Sequence, residues 1–306
     1  MQFHQLEDSN ILNKSIITFG NFDGIHLGHK YLINKLISLS VDNNLKSVLI
    51  TFDPHTNRTL VDKNLKVITP FTKKKEILLD YNIDIVCRIN FNKKFSQLNA
   101  DSFMDLLIRK YNPKIILIGY DNFFGFKKSG SFNYLKNSEK YKNIEILALD
   151  QYTLNNKNVK SSIIKDMILN KDITQVNTFI GRLFSIDGKV IRGEKVSKLT
   201  GFKTANIKIT NNEQLIPGNG VYSVNLMIDN KSYLSVCNIG YCPTIKDGKT
   251  ISLEVHVINE DIDIYDKSVT IFFNFFIRNE IKFSNIDDLK NQILKDIVSV
   301  QRKEVK

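Results

Sequence analysis

Two histidines near the N-terminus have the spacing of a phosphate-binding pair. They lie in residues 20–30, GNFDGIHLGHK, directly after an apolar run at residues 15–19 that is typical of a buried parallel strand. Beyond this motif apolar residues recur at three- and four-residue steps, which predicts a helix beginning near Ile25 or His26. Helix N-termini attract anions, and residues three apart share a helix face. The pattern therefore predicts that His26 and His29 contact neighbouring phosphate oxygens.

A purely structural interpretation of this stretch is also open. Glycines mark many strand-to-helix turns, and two histidines at this spacing also occur on solvated surfaces or singly in a core. The strand before the motif and the helix after it favour phosphate binding over that interpretation.

Residues 20–30 resemble the ATP-binding signature of the nucleotidyltransferase superfamily. The longer form resembles the prokaryotic bifunctional riboflavin kinase/FMN adenylyltransferase (FAD synthetase) family. The resemblance implies catalytic roles for His26 and His29. It also implies ATP contacts from a wider set in the motif: Gly20, Phe22, Asp23, Gly24, His26, Gly28 and His29.

Strand and helix patterns alternate up to about residue 150. This alternation predicts a parallel sheet with helices on both faces, a Rossmann-like α/β fold that binds ligands at the carboxyl ends of its strands. The predicted strands after the first are 47–52, 83–89, 114–118 and 144–149. The predicted helices are 73–81, 102–111 with Asp101 as its cap, and 132–140.

Polar or aromatic residues follow two of these strands. One strand ends in Asp53, Pro54 and His55, which alone is a common turn. Another ends in residues 119–130, a glycine-bounded loop whose aromatics suit a flat ring, although they could instead fold back onto the sheet. Both segments resemble the family's flavin site, which implies flavin contacts from Asp53, His55, Asp121, Phe123, Phe124 and Phe126. Phe123 stands where the family usually has Arg.

Residues 160–165, KSSIIK, open a helix. Two serines before an apolar run are commonly just an N-cap. The segment also resembles the family's Ser-Ser-Thr-x-x-Arg motif, with Ser162 for Thr and Lys165 for Arg. The resemblance implies that Ser161, Ser162 and Lys165 hold outer phosphates of ATP.

The pattern changes near Gly181 and Arg182, which predicts two domains, 1–182 and 183–306. Several evenly spaced strands follow, and then a helix over 286–301. They predict a small antiparallel β-barrel with a C-terminal helix. The predicted strands are 190–192, 204–209, 221–228, 233–238, 252–258 and 269–276.

Much of the second half resembles riboflavin kinases, in segments such as 201–206, GFKTAN, and 253–256, LEVH. Thr204 and Asn206 alternate along a strand and so share a face that suits Mg²⁺. Glu254 lies in an apolar strand, where a carboxylate is either functional or on a solvated outer face. The resemblance implies Glu254 as catalytic base and Thr204 and Asn206 as metal ligands. It implies ATP contacts from Gly188, Gly193, Lys198, Thr204 and Asn206.

The kinase segments also depart from the family pattern, and the departures cluster. Ser197 and Lys198 replace Gly-Arg, Thr200 replaces Leu, and Lys203 replaces Pro. A lost glycine and a lost proline change the backbone freedom of a loop that would cover phosphates.

The resemblance implies phosphorylation of riboflavin to FMN and adenylylation of FMN to FAD. ATP is then the co-substrate, Mg²⁺ the cofactor, and riboflavin, FMN and FAD are substrates or products. An alternative keeps only the FMN adenylyltransferase, with a non-catalytic flavin-binding C-terminal module. A nucleic-acid binder is a third reading, from a net charge of +11. The cations are scattered, so nucleic acid is the weakest of the three.

The length of 306 residues is sufficient for two domains, and the hydrophobic content of 42% is sufficient for each to have a hydrophobic core. The N-terminus has no signal-peptide pattern, and no apolar run is long enough to span a bilayer. The three cysteines, Cys87, Cys237 and Cys242, lack zinc-site spacing and predict reduced core thiols. We therefore expect a cytoplasmic protein without a membrane partner.

Overall fold

The computed structural model describes residues 1–6, 14–119, 121–191, 201–244, 248–260 and 264–304, without the side chains of 241–250 and 304. The chain divides into two compact units, Met1–Ser161 and Ser162–Lys306.

A six-stranded parallel sheet forms the first unit, in the order β1-β4-β3-β2-β5-β6. The order confirms the predicted doubly wound α/β fold. Its strands are β1 Gln2–Gln5, β2 Ser15–Gly20, β3 Lys46–Asp53, β4 Ile85–Asn90, β5 Pro113–Gly119 and β6 Glu145–Leu149. Strand β1 was not predicted, because its sequence is polar. It nevertheless pairs with β4 from Gln2 opposite Ile85 to Gln5 opposite Arg88.

Helices cover both faces of this sheet, as predicted. They are α1 Leu27–Asp42, α2 Thr56–Leu60, α3 Phe71–Leu79, α4 Lys93–Ser96, α5 Ala100–Tyr111 and α6 Phe132–Lys136. Successive residues of a strand point to opposite faces. Ile17 of β2 therefore packs with α5, whereas Ile16 packs with α1.

Two details of the predicted helices were wrong. The cap of α5 is Asn99, whose Oδ1 accepts from the Ser102 amide at 2.8 Å. Asp101 instead lies in the first turn and accepts from the hydroxyls of Tyr134 at 2.6 Å and Tyr141. These hydrogen bonds hold the pKa of Asp101 below its usual value. The helix predicted over 132–140 ends at Lys136 and is followed by a 3₁₀ turn, Glu139–Tyr141.

The first unit also contains a short hairpin, β7 Thr153–Leu154 and β8 Lys157–Asn158. It precedes α7, Ser161–Leu169, whose first residue is the last of the first unit. Most of α7 and all of α8, Ile173–Ile180, belong to the second unit.

A closed barrel forms the second unit, in the order β10-β13-β12-β11-β14-β9. Together with the C-terminal helix α9, Ile286–Glu304, it confirms the predicted barrel. The strands are β9 Phe184–Ile191, β10 Ala205–Ile209, β11 Gly220–Ile228, β12 Lys231–Thr244, β13 Gly248–Val257 and β14 Ser268–Arg278. All the pairs are antiparallel, and β10 with β9 closes the barrel.

The side chain of Asn177 links helix α8 to the barrel by hydrogen bonds. Asn177 Nδ2 donates to the carbonyl oxygen of Phe273 at 2.8 Å, and its Oδ1 accepts from the Phe184 amide at 2.8 Å. The predicted division at residue 182 therefore falls after elements that pack on the barrel. That division stays a prediction about domains.

Candidate functional site

His26 caps the helix that follows the glycine-rich turn. Helix α1 begins at Leu27, and the Nδ1 atom of His26 accepts from the His29 amide at 3.3 Å. Because Nδ1 accepts, the neutral tautomer of His26 carries its proton on Nε2. The predicted helix start is confirmed, and the cap satisfies one of the N–H groups at the helix end.

The two imidazoles of the motif are stacked rather than side by side. Their ring centroids are 3.7 Å apart with planes inclined by 17°. Gly28 permits this arrangement, because a Cβ there would lie 3.2 Å from the His26 ring. The turn is conformationally demanding as well, since Phe22 (φ 47°) and Ile25 (φ 37°) are left-handed without being glycine. Left-handed backbone at non-glycine residues persists only where the surrounding structure enforces it, and it is common at active and ligand-binding sites.

A polar cavity of about 390 Å³ opens in front of these histidines. It lies where parallel strands end, which is the usual ligand position in this type of sheet. Its lining contains nine of the predicted site residues: Gly20, Phe22, Asp23, His26, Gly28, His29, His55, Asp121 and Ser161. The structure therefore brings the glycine-rich turn, two later loops and the start of α7 to one place.

Several of these residues also hold the cavity wall together. Asp23 Oδ1 accepts from the amides of Ile68 at 2.8 Å and Thr69 at 3.2 Å. The Ser161 hydroxyl donates to the Asp23 carbonyl oxygen at 2.8 Å. Asp121 forms an ion pair with Lys160 at 3.0 Å. Asp23 and Ser161 thus shape the turn whether or not they touch a ligand.

Three further predicted residues lie outside this lining. Gly24 has φ of +89°, and a Cβ there would lie 3.1 Å from the Ile68 side chain, so the turn favours glycine at this position. Ser162 and Lys165 belong to the second compact unit. Their contact with ATP stays a prediction.

An aromatic cavity of about 430 Å³ adjoins the polar one. Phe123 and Phe126 line it and stay 56% and 36% exposed, whereas Phe124 is 7% exposed. Phe124 packs edge-to-face on Phe19 with centroids 5.2 Å apart. One ring of the aromatic loop thus enters the core and two stay exposed at the cavity. Their contact with a flavin stays a prediction.

The rest of the aromatic cavity was not foreseen from the sequence. Its other apolar walls come from β3, α2, α4, α5 and neighbouring loops: Phe52, Leu60, Phe91, Phe95, Leu98 and Phe103. Five residues line both cavities, namely Phe19, Gly20, Asn21, Asn57 and Asn122. A ligand in one cavity therefore lies directly beside a ligand in the other.

Two flavin-contact predictions take a different form in the structure. The Asp53 carboxylate pairs with the Arg88 guanidinium, and Asp53 lines neither cavity among the residues described. His55 caps α2, with Nδ1 accepting from the Asn57 amide at 3.2 Å, and it lines the polar cavity rather than the aromatic one.

The second unit carries a polar row on the outside of its barrel. Strand pairing places Asn206 of β10 and Asn238 of β12 opposite Glu254 of β13, one on each side. Leu253 and Val255 are buried inside, so Glu254 faces outward and is half-buried. Glu254 is therefore on the outer face, where it has polar neighbours in register.

A cavity of about 210 Å³ lies over part of this row. Thr204, Asn238 and Glu254 line it, together with His256 and Arg278. The Ser252 hydroxyl lies 3.4 Å from Glu254 Oε1 as a donor. The carboxylate thus faces a partly enclosed space rather than bulk solvent.

Two contacts fix the borders of this cavity. The Arg278 guanidinium binds the buried Asp296 carboxylate through both ends, at 2.9 and 2.7 Å, and so ties α9 to β14. His256 Nδ1 lies 2.9 Å from the carbonyl oxygen of Lys203, just before Thr204. The segment at residues 253–256 includes His256, but the sequence does not reveal the partner of either side chain.

Of the other predicted ATP contacts in the second unit, Gly188 lies among the described residues, whereas Gly193 and Lys198 do not. Gly188 lies in β9, where a Cβ would collide with Ile207, so its absence of a side chain serves strand packing. Gly193 and Lys198 lie outside the described residues, as do Ser197 and Thr200.

Buried thiols were predicted, and two are found. Cys87 and Cys237 are buried as thiols rather than in disulfides, and the side chain of Cys242 is not among those described. Burial and, to a lesser degree, the charge of Glu254 raise the pKa of the Cys237 thiol. The thiol is therefore neutral and packs as a small apolar group.

The fold and these sites define a two-domain transferase with a nucleotide-type α/β site and a separate barrel site. Two family models match, FAD synthetase over residues 8–163 and riboflavin kinase over residues 180–303. The chain belongs to the bifunctional riboflavin kinase/FMN adenylyltransferase family, as the motif at residues 20–30 predicted.

Curated relatives with that name match along nearly the whole chain. The protein of Buchnera aphidicola from Schizaphis graminum is 37% identical over 98% of this chain and 96% of its own. That of Listeria monocytogenes is 31% identical over 93% and 90%. That of Escherichia coli K12 is 29% identical over 92% and 90%.

A solved structure agrees with the fold. A crystal structure from Streptococcus pneumoniae, described as a macrolide-efflux protein, is 25% identical, covers 97% of both chains and has a TM-score of 0.89. Among the residues described for the present chain, no helix is both long and apolar enough to cross a membrane.

Proposed function

We propose that the chain makes FAD from riboflavin in two ATP-dependent transfers, with FMN as the intermediate product. The second unit phosphorylates riboflavin, and the first unit adenylylates FMN. The observation that carries the proposal is the pair of adjoining cavities in the first unit, one polar at a helix N-terminus and one aromatic. This pair suits a triphosphate beside a flat ring.

In the first unit, a phosphate oxygen of FMN attacks the α-phosphorus of ATP. The bond from that phosphorus to the bridging oxygen breaks, and pyrophosphate leaves. The N-terminus of α1 and the histidines His26 and His29 stabilise charge on the leaving group. Ser161 contacts the outer phosphates, and the aromatic cavity holds the isoalloxazine ring.

In the second unit, the riboflavin 5′-hydroxyl gives its proton to Glu254 and attacks the γ-phosphorus of ATP. The bond from that phosphorus to its bridging oxygen breaks, and ADP leaves. Gly188, Gly193, Lys198, Thr204 and Asn206 contact ATP. The half-buried position of Glu254 between two asparagines supports its role as base, because a base must lie close to the hydroxyl and be partly shielded from water.

Mg²⁺ fits the second site by the chemistry of its donors. The Thr204 hydroxyl and the Asn206 amide oxygen are hard oxygen ligands two residues apart, next to the Glu254 carboxylate. When bound with ATP, the ion would neutralise charge on the phosphates. Thr204 and Asn206 would hold it and so orient the γ-phosphoryl group.

The alternative of an adenylyltransferase with a non-catalytic barrel is not favoured, because the riboflavin kinase model matches residues 180–303. We expect a slow kinase nonetheless, given the departures at Ser197, Lys198, Thr200 and Lys203. A cytoplasmic location stays a prediction. So does the absence of nucleic-acid binding, which a salt titration against random DNA would check.

The direct test is incubation of the chain with riboflavin, ATP and Mg²⁺, followed by chromatography of the flavins. FMN should form first and FAD should follow. Conversion of added FMN to FAD without any conversion of riboflavin would restore the adenylyltransferase-only alternative.

A further inference from the structure

A buried lysine lies beside the wall that the two cavities of the first unit share. Lys74 is in α3, and only 5% of it is exposed. Its ammonium donates to the carbonyl oxygen of Asn21 at 2.6 Å and to the hydroxyl of Thr51 at 3.2 Å. The ammonium thus joins α3 to the turn after β2 and to the end of β3.

Asn21 is a junction of the shared wall. Its side chain donates to the Thr56 hydroxyl at 2.9 Å and accepts from the Thr56 amide at 3.1 Å. Its carbonyl oxygen also accepts from Thr51 at 3.2 Å. The bond from Lys74 is the shortest of these contacts and the only one of them with a charged donor, and charged donors form the stronger hydrogen bonds. Lys74 therefore contributes strongly to the position of Asn21.

The charges around Lys74 oppose its desolvation. Asp23 faces it from the turn after β2, and Asp53 faces it from the end of β3, where Asp53 is paired with Arg88 of β4. Burial lowers the pKa of Lys74 to about 8, and the two carboxylates act in the opposite direction. The Lys74 side chain is thus mostly protonated at pH 7 and loses its positive charge in mild alkali.

The flanking lysines of α3 have different partners. Lys73 forms an ion pair with Glu76 at 2.9 Å, and the Lys75 ammonium lies 4.9 Å from the centre of the Phe3 ring. Lys75 is exposed, so it offers a matched control for charge on the same helix.

We propose that Lys74 is a positioning residue for adenylyl transfer, which acts by holding Asn21 where the nucleotide and flavin cavities meet. Lys74 lines neither cavity among the residues described, so it acts through Asn21 rather than on substrate. The inference rests on the proposed adenylyltransferase function of the first unit. Small displacements of groups that align two substrates are costly in rate, up to about 10²-fold for 1 Å.

A pH dependence follows from the loss of this charge. For one group with a pKa of about 8, the protonated fraction falls from about nine-tenths at pH 7 to about one-tenth at pH 9. The ratio kcat/KM reports groups of the free enzyme. We therefore expect kcat/KM for ATP in FAD formation to fall by about tenfold over this range.

The experiment uses the full chain and measures FAD formation from FMN between pH 7 and 9. The variants are Lys74→Arg, Lys74→Met and, as control, Lys75→Met. FMN formation from riboflavin is measured in each variant to show that the barrel unit is intact. Thermal unfolding is measured to show that the first unit is folded. Lys74→Arg should lose the alkaline fall, because arginine stays charged. Lys74→Met should lower kcat about 10- to 100-fold at pH 7, and Lys75→Met should behave as the unmodified chain.

A flat profile in the unmodified chain would overturn the proposal, and so would an unchanged fall in Lys74→Arg or a full kcat in a folded Lys74→Met. If Lys74→Met does not fold, the profiles of the unmodified chain and Lys74→Arg decide. If Lys74→Arg also fails to fold, the profile of the unmodified chain decides alone. An unmodified chain that makes no FAD from FMN would instead refute the proposed function itself.

Discussion

The imidazole rings of His26 and His29 are stacked, with their centroids 3.7 Å apart. The His26 ring also caps helix α1. With Nδ1 of His26 occupied by the cap, its Nε2 is the donor that can face an anion. The stack therefore combines a structural role for one nitrogen with a chemical role for another.

Substitution of His26 should separate these roles. Asn can accept the capping bond, so His26→Asn should keep the stability of the first unit, whereas His26→Ala should lose about 1 kcal/mol. Both should lose most FAD formation from FMN, because both lack the Nε2 donor. Thermal unfolding and FAD assays check this. Equal stabilities of the two variants would contradict the capping role.

Two neighbouring phenylalanines should behave differently. Phe124→Ala removes a core ring and should destabilise the first unit by about 3–5 kcal/mol. Phe123→Ala should change stability by less than about 0.5 kcal/mol, because Phe123 is exposed. It should instead raise KM for FMN in FAD formation. Unfolding curves and FMN titrations of the rate give both values, and an unchanged KM in Phe123→Ala would remove that ring from the flavin site.

The ion pair between Arg278 and Asp296 should stabilise the packing of the C-terminal helix α9 on strand β14. Asp296→Asn leaves a half-buried guanidinium without its countercharge and should cost about 3 kcal/mol. The double variant Arg278→Met/Asp296→Leu should recover much of that stability, since matched apolar pairs often replace buried ion pairs without loss. Its kinase rate should stay low, because Arg278 lines the cavity. A double variant as unstable as Asp296→Asn would argue against this account of the pair.

Glu254→Gln tests the base of the second unit. The amide keeps the size and polarity of the side chain but cannot take up a proton at neutral pH, so FMN formation should fall about 10²–10⁴-fold. Riboflavin binding, followed by flavin fluorescence, should be retained. FAD formation from added FMN serves as the internal control and should be unchanged. A near-normal kinase rate would assign the base to another residue.

The sequence predicted most of the regular elements, but not β1, the short helices α2 and α4, or α8. Hydrophobic periodicity identified five of the six parallel strands and the barrel, and the turn at residues 20–30 identified the polar cavity. The prediction of a helix cap was wrong where a residue of the right type for a cap instead binds side chains from later in the chain. Asp101 resembles a cap, yet two tyrosines from later in the chain bind it, and Asn99 caps the helix.

Lys74 illustrates a second limit. Lys74 is the middle one of three consecutive lysines, and nothing in the local sequence distinguishes it from Lys73 and Lys75. Its burial depends on the contact of α3 with the ends of β2 and β3, which only the assembled sheet creates. The aromatic cavity has the same origin, since Phe52, Phe95 and Phe103 come from separate elements.

The central claim is that two phosphorus atoms from two ATP molecules enter one flavin product. Incubation with riboflavin, Mg²⁺ and ATP labelled at either the α- or the γ-phosphorus tests it directly. The account predicts γ-label in FMN, both labels in FAD, and unlabelled pyrophosphate when only the α-position is labelled. FAD without γ-label, or no labelled flavin at all, would contradict it.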